Sequence, residues 1–141
     1  MRFMIIVKAT PETEAGIMPS SELIAAMGKY NEDLIKAGVL LAGEGLHPSA
    51  SGARVKRENG RIVVTDGPFS EAKELIAGFW LIQVKSRDEA LEWMKRIPFQ
   101  EGEEMELRQV FEVSDFAVDP VSAEALAQEQ AWREATQKPL T

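Results

Sequence analysis

The densest group of side chains able to do chemistry is Asp66-Gly67-Pro68-Phe69-Ser70-Glu71-Ala72-Lys73-Glu74, directly ahead of the most apolar run, Leu75 to Ile82. It offers a carboxylate at the head of a turn, an aromatic wall, and then an acid, a base and an acid. A second group lies in Gly43-Glu44-Gly45-Leu46-His47-Pro48, where glycine lets backbone come close to other backbone or to a ligand. Together they suggest proton-transfer chemistry, with Asp66 as base and His47 as its partner once the Gly-rich loop brings it near. Lys73 or Arg108 would stabilise negative charge as it develops. Glu44, Tyr30 and Glu74 complete the set as substrate contacts.

Each of these residues also has a plainer reading. His47 is then a loop residue, Glu44 a hydrogen-bonded loop acid, and Tyr30 a core residue at helical spacing. Arg108 pairs with Glu106 on one strand face, while Lys73 and Glu74 form a solvated rim around Phe69, which plugs the edge of the core. Asp66 has a structural role in prospect as well: at the head of an Asp-Gly-Pro turn, its carboxylate is expected to accept backbone N–H bonds and hold Phe69 inward. No ligand spacing supports a metal site, and no cofactor motif is present.

Composition removes several function classes. A formal charge of −7 over 141 residues, with the basic residues scattered among acids, argues against nucleic acid and against an anionic membrane surface. With no cysteine, disulfides, thiolate catalysis and thiolate metal sites are excluded, which fits a reducing, cytoplasmic setting. The run Phe3 to Val7 is too short for a signal core or a membrane span, and Lys8 closes it.

The elements that must position these groups follow from periodicity. Arg2 to Lys8 reads as a strand apolar on both faces, with Phe3, Ile5 and Val7 on one and Met4 and Ile6 on the other. Ala9 to Pro19 reads as a loop. Ser20 or Ser21 caps a helix with Leu23, Met27, Tyr30 and Leu34 on one face, and Gly38 ends it. Val39 opens a buried strand, and Ala53 to Val64 is a hairpin turning at Asn59-Gly60. Its Arg54, Lys56, Arg57 and Arg61 read as a solvated ribbon face.

Ile76 to Val84 is a central strand, again apolar on both faces, with Phe79 and Leu81 opposite Trp80, Ile82 and Val84. Ser86 and Glu89 form a capping box opening a helix with Ala90, Trp93, Met94 and Ile97 in one stripe. Met105 to Glu112 reads as the last strand, with Met105, Leu107 and Phe111 on one face. A final helix is expected from Asp119-Pro120 to about Gln137, docking through Leu126 and Trp132 on this chain or on a partner.

This order predicts an α+β fold, a ferredoxin-like split β-α-β sandwich over residues 1–113 with an inserted β-hairpin, then a C-terminal helical extension over 114–141. Two helices cover one face of such a sheet. The second apolar face therefore predicts a homodimer with sheets packed face to face.

Several ordered motifs bear a family resemblance: Asp66 to Phe69 with Glu71, Lys73, Glu74 and Gly78-Phe79-Trp80, Lys36 to Leu40, Gly43 to Ser49, and Ser86 to Trp93. The chain resembles the DGPF-type branch of the YCII-related family over about residues 1–113. The resemblance implies the dimeric α/β-barrel fold shared with muconolactone isomerase-like and monooxygenase-like enzymes. It also implies an association with extracytoplasmic-function sigma factors. The shorter relatives pair a His on the first helix with the loop Asp; here Asp66 matches the Asp, while Met27 stands at the His position.

Three functions follow as expectations. The chain binds or transforms a small organic molecule in a cleft lined by the Asp-Gly-Pro-Phe loop, or it binds one without turnover. Otherwise it is a non-enzymatic interaction module tied to sigma-factor-dependent transcription, for which its acidity suits a basic protein partner.

Overall fold

The computed structural model describes residues 1–141. The elements in chain order are β1 (Arg2–Lys8), α1 (Pro11–Glu14), α2 (Ser21–Lys36), β2 (Leu40–Gly45), β3 (Ala53–Glu58), β4 (Arg61–Asp66), β5 (Ile76–Gln83), α3 (Arg87–Met94), β6 (Met105–Gln109) and α4 (Ala123–Thr136). The main sheet runs β2-β5-β1-β6, with every neighbouring pair antiparallel. β1 and β2 are therefore parallel with β5 between them, the split β-α-β of a ferredoxin-like sandwich. The hairpin β3–β4 is a separate two-stranded sheet inserted between β2 and β5.

Local chemistry explains most of the boundaries. The Ser20 hydroxyl accepts from the Leu23 N–H at 3.2 Å and caps α2. Ser86 accepts from the Glu89 N–H at 3.1 Å and opens α3, while the Glu89 carboxylate reaches back to the Lys85 N–H at 2.9 Å. Within Ala9 to Pro19, read from sequence as a loop, there is one helical turn. Thr10 and Thr13 cap each other's backbone there, a pairing that lies outside the usual Ser/Thr…Glu/Gln pattern.

Strand alternation places Phe3, Ile5, Trp80 and Ile82 on the face under α2 and α3, where they form one core with Tyr30, Leu34, Leu40 and Ala90. Phe3, Ile5, Leu34 and Ile82 are fully buried. Met4, Ile6, Phe79 and Leu81 alternate to the other face and are only half-buried. Both faces are apolar, as the sequence predicts, but the helix layer covers one.

The C-terminal segment departs from expectation. β6 stops at Gln109, and Phe111 turns out to solvent rather than continuing the stripe of Met105 and Leu107. α4 begins at Ala123, because the Asp119 carboxylate caps the preceding turn, accepting from the N–H groups of Val121 and Ser122 at 2.9 and 2.8 Å. Those bonds, Ser122's first, hold its carboxyl below the usual range. Leu126 borders an apolar space with Phe111, Val113 and Phe116, while Trp132 is 60% exposed.

Arg2 ties the C-terminal end of α4 to the sheet, and just beyond it the Leu140 N–H donates to the Leu40 carbonyl at 2.8 Å. Arg2 is 6% exposed, and each of its three side-chain nitrogens is bonded. Its Nε donates to Glu112 Oε1 at 2.9 Å and its two terminal nitrogens to Gln137 Oε1 (2.8 Å), the Phe111 carbonyl (3.1 Å) and Glu112 Oε2 (3.2 Å). A bidentate guanidinium–carboxylate pair is among the stronger polar contacts. Removing one partner strands the other charge. Glu112 is 31% exposed, so Glu112→Ala is expected to cost about 1–3 kcal/mol, below the 3–5 of a fully buried pair. A denaturant melt checks this: the midpoint should fall at unchanged slope.

Candidate functional site

Two structures meet at one end of the main sheet, and each is assembled from segments distant in sequence. The first is a knot of loops around Ser49. The second is a cleft between α2 and the strands.

Ser49 sits in a short 3₁₀ turn after β2. Its backbone N–H donates to Glu14 Oε1 at 3.0 Å, its hydroxyl donates to Glu14 Oε2, and the same hydroxyl accepts from the Phe69 N–H at 3.0 Å. The Gly67 N–H donates to the Gly52 carbonyl at 2.9 Å, and the Gly67–Pro68 bond is cis. Gly67 presses so close that a Cβ there would lie 1.8 Å from the Ser49 carbonyl oxygen. The Asp-Gly-Pro-Phe loop is thus fastened by α1 and the turn after β2. The bonds fastening it come from Ser49 and Gly52, not from the exposed Asp66 carboxylate, which corrects the turn-capping role expected of Asp66. Phe69 also departs from expectation. It does not plug the core but lies under the Arg54 guanidinium, 3.8 Å from ring centroid to Cζ.

The cleft holds about 300 Å³. Met27 and Asn31 of α2 form one wall, and Val7, Gly43 to Gly45 and Ala77 to Trp80 form the floor. Its centre is Trp80. The indole Nε1 donates to Asn31 Oδ1 at 2.8 Å, and the ring meets Tyr30 edge-on at 5.4 Å. Gly43 makes this possible: a Cβ there would stand 2.9 Å from Trp80 Cδ1. An indole N–H can only donate, so it fixes the Asn31 amide with oxygen toward Trp80 and the NH₂ group turned away, free to donate.

Of the residues expected to act, only Glu44 lines this cleft, and it does so as part of the strand. It pairs with Phe79 across β5, so alternation sends its carboxylate to the opposite face. Tyr30 is core, not pocket. Its hydroxyl donates to the Trp93 carbonyl at 3.0 Å, and burial pushes its pKa up. Arg108 lies on the edge strand β6, ion-paired with Glu106 at 3.4 Å, on the face turned away from α2. His47 lies in the loop that leads to Ser49 and Asp66 ends β4 where the Gly67 loop begins, while Lys73 and Glu74 occupy an exposed 3₁₀ turn leading into β5. None of these four is in the lining. The Asp-Gly-Pro-Phe loop therefore stands at the end of the sheet where the cleft lies without lining it. No group of three or more His, Asp or Glu side chains lies close enough to hold a metal.

Sequence reasoning passed over Asn31. Its signal was a polar residue one turn after Met27, at the flank of an otherwise apolar stripe.

The model of the YCII-related domain family matches residues 1–114. An uncharacterized protein, R00369, of Rhizobium meliloti (strain 1021) is 38% identical over 74 residues, 52% of this chain. That match spans only 56% of the relative's own length. Among solved structures, 5-chloro-2-hydroxyhydroquinone dehydrochlorinase (TftG) from Burkholderia phenoliruptrix AC1100, in complex with 2,5-dihydroxybenzoquinone, is similar at a TM-score of 0.47 and 20% identity. The alignment covers 83% of this chain and all of that one.

The loop knot makes a direct prediction about stability. Ser49→Ala removes a hydroxyl that both donates and accepts, and is expected to cost about 1–2 kcal/mol. Asp66→Ala should stay within about 0.5 kcal/mol, as for a surface position without partners. Melts of the two variants side by side decide the matter; an Asp66→Ala loss equal to that of Ser49→Ala would restore the carboxylate to the turn.

Proposed function

The chain belongs to the YCII-related family, and we propose that it binds a small, flat, mainly apolar organic molecule carrying an acceptor oxygen, held in the cleft between α2 and the sheet. The observation that carries this reading is the Asn31 amide. Trp80 occupies its oxygen and leaves its NH₂ as a donor in a wall that is otherwise apolar. A carbonyl or phenolate oxygen would satisfy that donor, while the glycine floor and the Met27 and Val7 side chains suit a ring face. Few, well-placed polar groups in an apolar concavity are what orient small ligands.

The reading is one of binding. No acid or base of this chain is directed into the lining, so proton transfer would have to come from the flanking loops that carry Asp66 and His47. The absence of cysteine fits a cytoplasmic setting. We further propose a homodimer, with Met4, Ile6, Phe79 and Leu81 forming the centre of a symmetric contact and Lys8, Glu106 and Arg108 its rim. Such a contact should bury more than about 1,000 Å² in total.

Two measurements test these readings. In a thermal-shift screen of aromatic compounds with and without a carbonyl or phenolate oxygen, the oxygen-bearing ones should raise Tm. At about a hundredfold excess over Kd, binding stabilises by about 2.7 kcal/mol. Asn31→Leu should abolish the shift while Asp66→Asn and His47→Gln leave it intact; an undiminished shift in Asn31→Leu sinks the cleft reading. Light scattering should give twice the chain mass for the wild type and the chain mass for Phe79→Asp. A monomeric wild type at micromolar concentration rules the dimer out.

A further inference from the structure

The hairpin β3–β4 is the one pair of strands that the fold leaves bare on both faces. All twelve of its strand residues are exposed, on both faces. Its register is Ala53–Asp66, Arg54–Thr65, Val55–Val64, Lys56–Val63, Arg57–Ile62 and Glu58–Arg61. Paired residues share a face. One face of the ribbon therefore carries Val55, Val64 and Ile62, at 67, 62 and 55% exposure, with Arg57 beside Ile62 and Asp66 at the root, and the other carries Arg54, Lys56, Glu58 and Arg61 around Val63. A two-stranded ribbon is marginal alone in water, and three exposed aliphatic side chains in one strip mark a contact surface.

Charge says what the contact is with. Residues 53–66 carry four basic residues and two acids, net +2, on a chain of net −7, so the remaining residues carry −9. The ribbon is a basic arm on an acidic body. Its root is fixed: Arg54 stacks on Phe69 at 3.8 Å, and the Phe69 N–H is bonded to Ser49 at 3.0 Å. An arm with a fixed root and a bare, basic, half-aliphatic blade has its complement in a second acidic copy of the same chain, reached twice over by two-fold symmetry.

We propose that the β3–β4 hairpin is a clasp that lays its Val55/Ile62/Val64 face on the body of a second copy of this chain, with Arg57 on that face and Arg61 at the tip beside the turn meeting that copy's acidic surface. The inference rests on the homodimer reading and adds to it a second contact beside the sheet face.

The chain has no cysteine, so Glu58→Cys gives a single attachment point near the hairpin tip. Labelled there with benzophenone maleimide and irradiated, an equal mixture of ¹⁵N-labelled and unlabelled protein should yield adducts of twice the chain mass. Their cross-linked peptides should pair one label with the other. Adducts confined to single chains overturn the clasp. Independently, the double variant Arg57→Glu with Arg61→Glu should weaken dimerisation about tenfold or more by sedimentation, at unchanged circular dichroism. The same Kd as wild type overturns the proposal. If Phe79→Asp alone dissociates the dimer while the arginine variant does not, the sheet-face reading stands and the clasp falls. A wild type that is monomeric throughout overturns both, as would a monomer that uses these arginines to bind a double-stranded oligonucleotide.

Discussion

A four-stranded sheet has two faces, and this chain supplies a full helix layer for one of them. The central pair β1–β5 is apolar on both, with Phe3, Ile5, Trp80 and Ile82 turned to the helices and Met4, Ile6, Phe79 and Leu81 turned away. Burying apolar surface is the dominant favourable term in folding, so the covered face becomes the core and the other stays in need of cover. At one end of that face Arg2 is bonded to Glu112 and to Gln137, the residue that ends α4. The remainder is the surface on which the proposed homodimer rests.

The cleft follows from the same layer. α2 crosses the sheet over Trp80, and the indole can lie against β2 only because residue 43 has no side chain. Where glycine removes bulk from the floor, the helix is left standing over open space. The polar element in that space is set by the indole's chemistry, since a group that can only donate forces its amide partner to present oxygen and to keep its own donors free. A single aromatic residue therefore anchors the core, shapes the cleft and orients the one polar group in its wall.

The charged motifs organise the fold in a different way. The Asp-Gly-Pro-Phe stretch is conspicuous in sequence, yet its hydrogen bonds run through Ser49 and Gly52 to α1 and the turn after β2. Its Phe is held against an arginine at the root of the hairpin rather than in the core. Charges near the sheet end remain exposed because sinking them in the cleft without partners would cost several kcal/mol each. That is why an apolar cavity sits beside a rim of acids and bases without containing them.

Local spacing and residue type determined the order of the strands and long helices, the two apolar faces of β1 and β5, a cap at Ser20 or Ser21, the cap at Ser86 and the turn at Asn59-Gly60, because each is written within a few residues along the chain. The ferredoxin-like topology follows from that order. Tertiary structure alone decided which residues meet: Ser49 with Glu14 and Phe69, Trp80 with Asn31, Arg2 with Gln137. It also decided that Tyr30 belongs to the core, that the Glu44 carboxylate leaves the cleft and that Phe111 faces water. These outcomes depend on close approaches between segments 20 to 135 residues apart, where a glycine's missing Cβ or a one-residue change of strand register chooses the partner. Local spacing carries no record of that choice.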